Sequence, residues 1–316
     1  MTPGQQLALA AVAALAAAGA AKKRSGSAAF RLPQSQKRKL VRLFSSDDKV
    51  LQQQALELAG TLGGVDFSNV RFPDRFYIDE LDLSGANMAG ITMKIGNIRD
   101  SNIDNADFGG ANLNQTELVL DQGRKPGVDE DDGGRFRAVG TNFSRALLTH
   151  SYVSAYFEGC DFSGARFKKS ELQATFNYCA LDGADFGGLE PEGFSDIQIT
   201  LNPPSYSKDD AKVARTGMRN VVFRSSKIKD LKIDGKDGWS FDDRSGAVAF
   251  RCDFSKVKVD QVYFDGVDFI ECDFTGLQAD RLVAYGCRFE RCIFSGSFVE
   301  SLINSSSTGM DFGTKS

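Results

Sequence analysis

The sequence holds a single histidine, His150. Serine- or cysteine-based nucleophilic chemistry would therefore have one imidazole to serve as base, and a histidine-rich metal site cannot be built. His150 ends the segment ALLTH, and an exposed turn is the expected place for it. Six cysteines come next: Cys160, Cys179, Cys252, Cys272, Cys287 and Cys292. No CxxC occurs, and the spacings are not those of a zinc site. Cys252, Cys272 and Cys292 lie twenty residues apart, which suggests a column rather than a cluster. Side chains repeated at the strand spacing of about 4.8 Å fit a disulfide poorly, because bridged Cβ atoms lie about 3.8 Å apart. Six buried free thiols are expected. Glycoside cleavage would need two acids facing each other across a groove. Asp107, Asn112, Asp161, Asp185 and Asp273 are read instead as turn-stabilising groups. No catalytic residue, metal site or cofactor site is expected, and the chain is read as not an enzyme.

These positions belong to a repeat of five residues. From Ala247 the chain divides as AVAFR CDFSK VKVDQ VYFDG VDFIE CDFTG LQADR LVAYG CRFER CIFSG SFVES LINSS. The same frame runs from Leu81 to Leu120 as LDLSG ANMAG ITMKI GNIRD SNIDN ADFGG ANLNQ TELVL, and returns as TNFSR ALLTH SYVSA, CDFSG ARFKK SELQA, CALDG ADFGG and VVFRS SKIKD LKIDG. The first residue of a block is small or aliphatic and the third is usually Phe. On a helix five residues advance about 500°, which would scatter the apolar positions over all faces. On a continuous strand an odd period would alternate them between sides. A chain that turns once per block satisfies the pattern, with Gly, Asp, Asn and Ser at the turns. Four blocks then close one square coil of twenty residues. The phase slips by one residue near Ala155 and Ala174, which is expected to be absorbed as a bulge.

ADFGG, ANLNQ, ANMAG and CDFSG closely match A(D/N)LXX, so the chain resembles the pentapeptide-repeat proteins. That resemblance implies an all-β solenoid, a right-handed quadrilateral parallel β-helix with the third residue of each block filling the centre. Phe254, Phe274 and Phe294, and likewise Phe269 and Phe289, share the twenty-residue spacing. They are expected to form stacked core ladders beside the column of Cys252, Cys272 and Cys292, leaving no interior space for a ligand.

Four regions are expected. Residues 1–31 form an apolar anchor or targeting segment, residues 32–64 a helical N-terminal cap, residues 65–304 the β-helix, and residues 305–316 a disordered tail. The cap reading rests on Ser46 before Asp47 and Asp48, on Leu51, Ala55, Leu58 and Leu62 at helical spacing, and on Gly63-Gly64 as a stop. Solenoids need their open ends covered. Insertions at 119–140, 187–220 and 234–246 are expected to leave the coil as surface loops. The last of them holds Trp239, the one tryptophan, beside Phe241. These two residues are the candidate protein contact, since Trp is enriched at binding hot spots.

Residues 7–21 (LALAAVAALAAAGAA) carry no charge and are followed by Lys22, Lys23 and Arg24. The stretch is short against the roughly twenty residues of a membrane span, and MTPGQQ lacks the basic start of a secretory signal. A membrane anchor, a removed targeting sequence and a soluble Ala-rich helix all stay open. SGSAAF after the apolar run resembles the signal junction of plastid precursors in algae with complex plastids. Membrane-associated, exported (thylakoid) and cytoplasmic locations follow from these alternatives. Glycosylation patterns at Asn114, Asn142 and Asn304 arise freely in a repeat rich in Asn and Ser.

Hydrophobic residues make up 41% and charged residues 25%, with a net charge of −4, as in an ordinary folded protein. Two functions follow. The first is a non-enzymatic protein-interaction scaffold, an accessory or assembly subunit of a membrane (thylakoid) complex, with membrane contact through residues 7–21 and no direct nucleic acid binding. The alternative comes from the resemblance: a gyrase-binding protein that mimics DNA. That role needs an acidic exterior, whereas Lys168, Lys169, Arg224, Lys229, Lys256, Arg281 and Arg291 sit among Asp100, Asp265 and Glu290 at the outward positions.

Overall fold

Third residues of the blocks turn inward along most of the described coils. Phe108, Leu113, Phe143, Phe186, Phe254 and Phe269 are all fully buried, and so are the first residues Ala111, Ala146 and Ala184. The structure, a computed structural model, describes residues 66–72, 75–79, 81–120, 137–189, 195–201, 217–235, 247–295 and 311–312. Its regular elements are all strands, and every pairing is parallel. The chain is an all-β parallel β-helix.

Two mechanisms make the corners. The side chain at the second position accepts the backbone N–H of the fourth, as from Ser84 to Asp82 (3.0 Å), Gly109 to Asp107 (2.9 Å), Asn114 to Asn112 (3.3 Å), Ser163 to Asp161 (2.8 Å), Gly187 to Asp185 (2.9 Å) and Thr275 to Asp273 (2.8 Å). Such Asx turns suit Asp and Asn and no other pair of residues as well. At the fifth position the backbone enters the left-handed region, at φ 65° in Gly110 and 70° in Gly276, but also at 59° in Lys169 and 56° in Lys256. For residues with a Cβ that conformation costs about 1–2 kcal/mol, which the coil offsets through its hydrogen bonds.

Two compact units divide between Ala155 and Tyr156. In the first, β1 (Tyr77–Asp79), β2 (Gly96–Arg99) and β3 (Thr116–Val119) pair in that order, and β4 (Arg137–Val139) precedes β5 (Tyr152–Glu158), within which the division falls. Tyr77 pairs with Asn97, one coil of twenty residues on, whereas Glu117 pairs with Tyr152, thirty-five on. Between β3 and β5 the register step is therefore longer than one coil.

The second unit contains β6 (Glu171–Asn177), β7 (Asp196–Thr200), β8 (Gly217–Arg219), β9 (Lys227–Asp234), β10 (Ala247–Phe250), β11 (Lys258–Asp265), β12 (Val267–Ile270), β13 (Asp273–Phe274), β14 (Gln278–Tyr285), β15 (Arg288–Glu290), β16 (Ile293–Phe294) and β17 (Asp311–Phe312). One side is the sheet β6-β7-β9-β11-β14, another the sheet β8-β10-β12-β15-β17, and a third carries β13 and β16.

Three details differ from the sequence reading. First, β7 lies inside the stretch 187–220 that was expected to be a surface loop, and Ile197, Ile199 and Leu201 are buried. The alternation DIQITL marks a strand of period two, which a search for period five passes over. Second, the bulge lies elsewhere than expected. β9 and β11 show two successive outward residues, Lys229-Asp230 and Asp260-Gln261, whereas β6 alternates without a break. The missing residue near Ala174 therefore removes a bulge that full-length coils possess. Third, β17 pairs with Arg288–Phe289 in the tail expected to be disordered. The expected cap at 32–64 and the segment 7–21 lie outside the described residues.

Candidate interaction surface

The interior of the second unit is occupied by phenylalanine rings. Phe167, Phe186, Phe223, Phe254, Phe274 and Phe294 stack in one column with successive centroids 4.7, 5.0, 5.1, 5.0 and 5.5 Å apart. Phe269 stacks on Phe289 at 5.1 Å and meets Phe254 edge-on at 6.1 Å. Stacked at these spacings, the rings fill the middle of the coil where they are described.

The first positions do more than fill space. Thr141 Oγ1 donates to the Ile103 carbonyl (2.7 Å), Ser151 Oγ to Leu113 (2.9 Å) and Ser226 Oγ to Phe186 (2.6 Å), each on the preceding coil. Cys272 Sγ reaches the Ala249 carbonyl and Cys292 Sγ the Phe269 carbonyl, both at 3.2 Å, and Cys252 Sγ the Met218 carbonyl at 3.6 Å. Small residues that also donate a hydrogen bond tie one coil to the one before it. Reading these cysteines as small hydrophobes missed this role, although Ser and Thr at the same block position were a visible signal. All six thiols are free, five of them buried and Cys292 half-buried. Cys292 departs from the expected burial because no described coil covers it on that side. The Cys252 thiol and burial push the Cys272 thiol up, the Cys272 thiol and burial do the same to Cys292, and burial raises Cys179. A raised thiol disfavours the thiolate, the reactive form.

Three outward surfaces of the second unit differ in chemistry. On the long sheet, Lys232 lies 5.4 Å from the centre of the Tyr263 ring, Tyr263 lies 6.0 Å from Tyr285, and the Tyr263 hydroxyl donates to Asp265 (3.2 Å). Burial and the nearby Asp265 push the Tyr263 phenol up to about 12. Asp196 and Asp230 are register neighbours there. Burial raises the Asp196 carboxyl, Lys229 opposes that, and Asp230 adds to it. Lys229 reaches Asp230 at 3.8 Å, and Arg281 donates to Gln261 at 3.5 Å. On the β10-β12-β15 side, Arg251, Glu271 and Arg291 form an alternating ladder (2.7 and 3.2 Å), which Glu290 extends to Arg288. The third side, over the phenylalanine column, carries Arg166, Lys168, Lys169, Arg224 and Lys256, all exposed. Arg224 pairs with Asp253.

Trp239, Phe241 and Asn304 lie outside the described residues. His150 is exposed, at φ 56°. The ladders Cys252-Cys272-Cys292, Phe254-Phe274-Phe294 and Phe269-Phe289 stand in register on successive coils. Among the described residues, no group of three or more His, Cys, Asp or Glu could hold a metal ion, and no helix is long and apolar enough to cross a membrane.

No family model matches the chain, and no curated protein does. Among solved structures, it is similar to HetL, a pentapeptide repeat protein involved in heterocyst differentiation regulation from the cyanobacterium Nostoc sp. strain PCC 7120. The identity is 16% over 71% of this chain and 87% of that one, with a TM-score of 0.32. It is also similar to QnrB1, a plasmid-mediated fluoroquinolone resistance protein. A trypsin-treated form gives 20% identity over 73% of this chain and 95% of that one at a TM-score of 0.28, and the full-length form gives 18% over 73% and 98% at 0.24. Structures to which the chain is similar thus include a pentapeptide-repeat protein.

Proposed function

We propose that the chain is a pentapeptide-repeat protein acting as a non-enzymatic protein-interaction scaffold, an accessory or assembly subunit of a membrane complex, with the thylakoid as the membrane. The observation that carries the scaffold reading is the unbroken phenylalanine column from Phe167 to Phe294. A core filled by stacked rings leaves rigid outer faces as the working surface, and regular coils present side chains there at fixed spacing. The membrane part of the proposal rests on the uncharged run at residues 7–21 and the basic Lys22, Lys23 and Arg24 behind it. DNA mimicry fits less well, because Lys168, Lys169, Arg224 and Lys256 put positive charge on an outer face.

Fractionation of native cells tests this reading. Membranes are extracted with alkaline carbonate, and the detergent-solubilised fraction is resolved on a native gel. Retention in the membrane and migration in a large complex support the scaffold, and the co-migrating proteins identify its partner. A soluble species near its own mass overturns the membrane role.

A further inference from the structure

Asp185, Asp253 and Asp273 occupy second positions on the side of the second unit that covers the phenylalanine column. Each is turned back onto its own backbone, accepting the N–H of Gly187, Ser255 and Thr275. The cations Lys168, Lys169, Arg224 and Lys256 stand at fourth and fifth positions of their blocks, and Arg166 at a second position. Backbone hydrogen bonds align them: Lys169 N–H to Gly188, Gly188 N–H to Arg224, and Ser225 N–H to Ser255, beside Lys256. Arg166, Lys168, Lys169 and Lys256 have no ion-pair partner among the described residues. Between the rung of Lys168-Lys169 and the rung of Arg224 lies Gly187-Gly188, which has no side chain to fill the gap. A Cβ built on Gly188 would meet nothing within 4 Å. The rung is open at Gly188, while at Gly187 a Cβ would lie 2.9 Å from the Asp185 carboxylate; lysines stand on one side of this rung, an arginine on the other, and Lys256 one rung further.

We propose that this face docks an extended Asp/Glu-rich segment of the partner protein, running along the coil axis over Gly187-Gly188. The inference rests on the scaffold reading and names the chemistry of its partner. With rungs about 4.8 Å apart, the three cationic rungs span about 14 Å. That is too far for one small oxyanion but matches about four residues of extended peptide at roughly 3.3 Å each. A nucleic acid duplex is a poorer fit, because it would overlie neighbouring faces of a chain whose net charge is −4, whereas one extended segment touches this side alone.

The test uses the full chain, a fluorescently labelled peptide carrying six consecutive glutamates, and the same peptide with glutamines. Anisotropy titrations at low and moderate salt should show binding of the glutamate peptide alone, weakening as salt rises. The triple variant Lys168→Glu, Lys169→Glu, Lys256→Glu should lose at least tenfold in affinity. The matched triple Lys227→Glu, Lys229→Glu, Lys258→Glu on the long sheet should stay within twofold. Should charge reversal unfold the chain, the glutamine triple at the same three sites should still lose at least threefold. Absence of binding to the unaltered chain, equal losses for both triples, or equally tight binding of a DNA duplex would overturn the proposal. Survival of the native-gel complex in the first triple would show that the scaffold reading holds while this face is not the dock.

Discussion

The two units solve the same stacking problem with different side chains. In the first, the second-position ladder alternates acid and amide: Asp66, Asn87, Asp107, Asn142. Each carboxylate therefore has a donor beside it, as where Asn142 Nδ2 donates to Asp107 at 2.7 Å. In the second, the ladder Arg166, Asp185, Val222, Asp253, Asp273, Ile293 instead sets two carboxylates, Asp253 and Asp273, side by side, and Arg224 meets the charge of Asp253. Burial pushes the Asp253 carboxyl up, but the Ser255 hydrogen bonds and Arg224 outweigh it and hold the group below its usual range. The interiors differ too. The first unit mixes Leu83, Met88, Met93, Ile98, Leu113 and Leu118 with Phe67, Phe72, Phe108 and Phe143 at its third positions, whereas the second holds a continuous six-ring aromatic column. A repeating coil thus tolerates either filling, provided that neighbours on successive rungs match.

The core contrast should give the largest effect. Phe254 touches Phe223, Phe264, Phe269 and Phe274, so Phe254→Ala should cost about 3–5 kcal/mol, and Leu113→Ala in the first unit nearer ~2–3 kcal/mol. Denaturant midpoints measure both, and a larger loss for Leu113→Ala would break the comparison. All six cysteines lie in the second unit, so thiol labelling reads that unit by itself. Native protein should label slowly, Cys292 first, and Phe254→Ala should expose the rest at lower denaturant.

Charge in the ladders comes next. Asn142→Asp would place a carboxylate against Asp107 and remove its donor, at a cost of about 1 kcal/mol at neutral pH. Like charges raise the folded-state pKa of both groups, so the cost is present above the carboxylate range and disappears as pH falls through it. Asp253→Asn runs the other way. A depressed folded pKa contributes stability above the unfolded value of about 3.9, and that stability is lost as pH falls through the folded value. The variant should therefore lose less than about 1 kcal/mol at neutral pH and show a shallower acid-unfolding curve. An unchanged curve would mean that Arg224 does not stabilise the Asp253 carboxylate.

The smallest effect should come from the exposed ion ladder. Arg251 holds the Glu271 carboxyl below its usual range, with Arg291 adding to it. Glu271→Gln should shift the midpoint barely at all, and high salt should erase the difference.

The period of five, the inward third residue and the Asx role of Asp107, Asn112, Asp161, Asp185 and Asp273 were legible in the sequence, because each depends on contacts within one block. Register is another matter. Coils step by twenty residues from Tyr77 to Asn97, by nineteen from Asp161 to Ala180, by thirty-five from Glu117 to Tyr152 and by thirty-one from Lys227 to Lys258. Which residues become partners across the longer steps depends on close packing of distant residues. A Cβ on Gly235 would lie 2.5 Å from the Gly266 carbonyl and 2.7 Å from the Ala247 Cβ. Only the tertiary structure could therefore align Lys168, Gly188, Arg224 and Lys256 on one side, place β7 inside an apparent loop and bring Arg224 to Asp253. Local sequence determines how each block turns. Which side chains become neighbours is decided by the stacking of coils, through hydrogen bonds and burial between residues far apart in the chain.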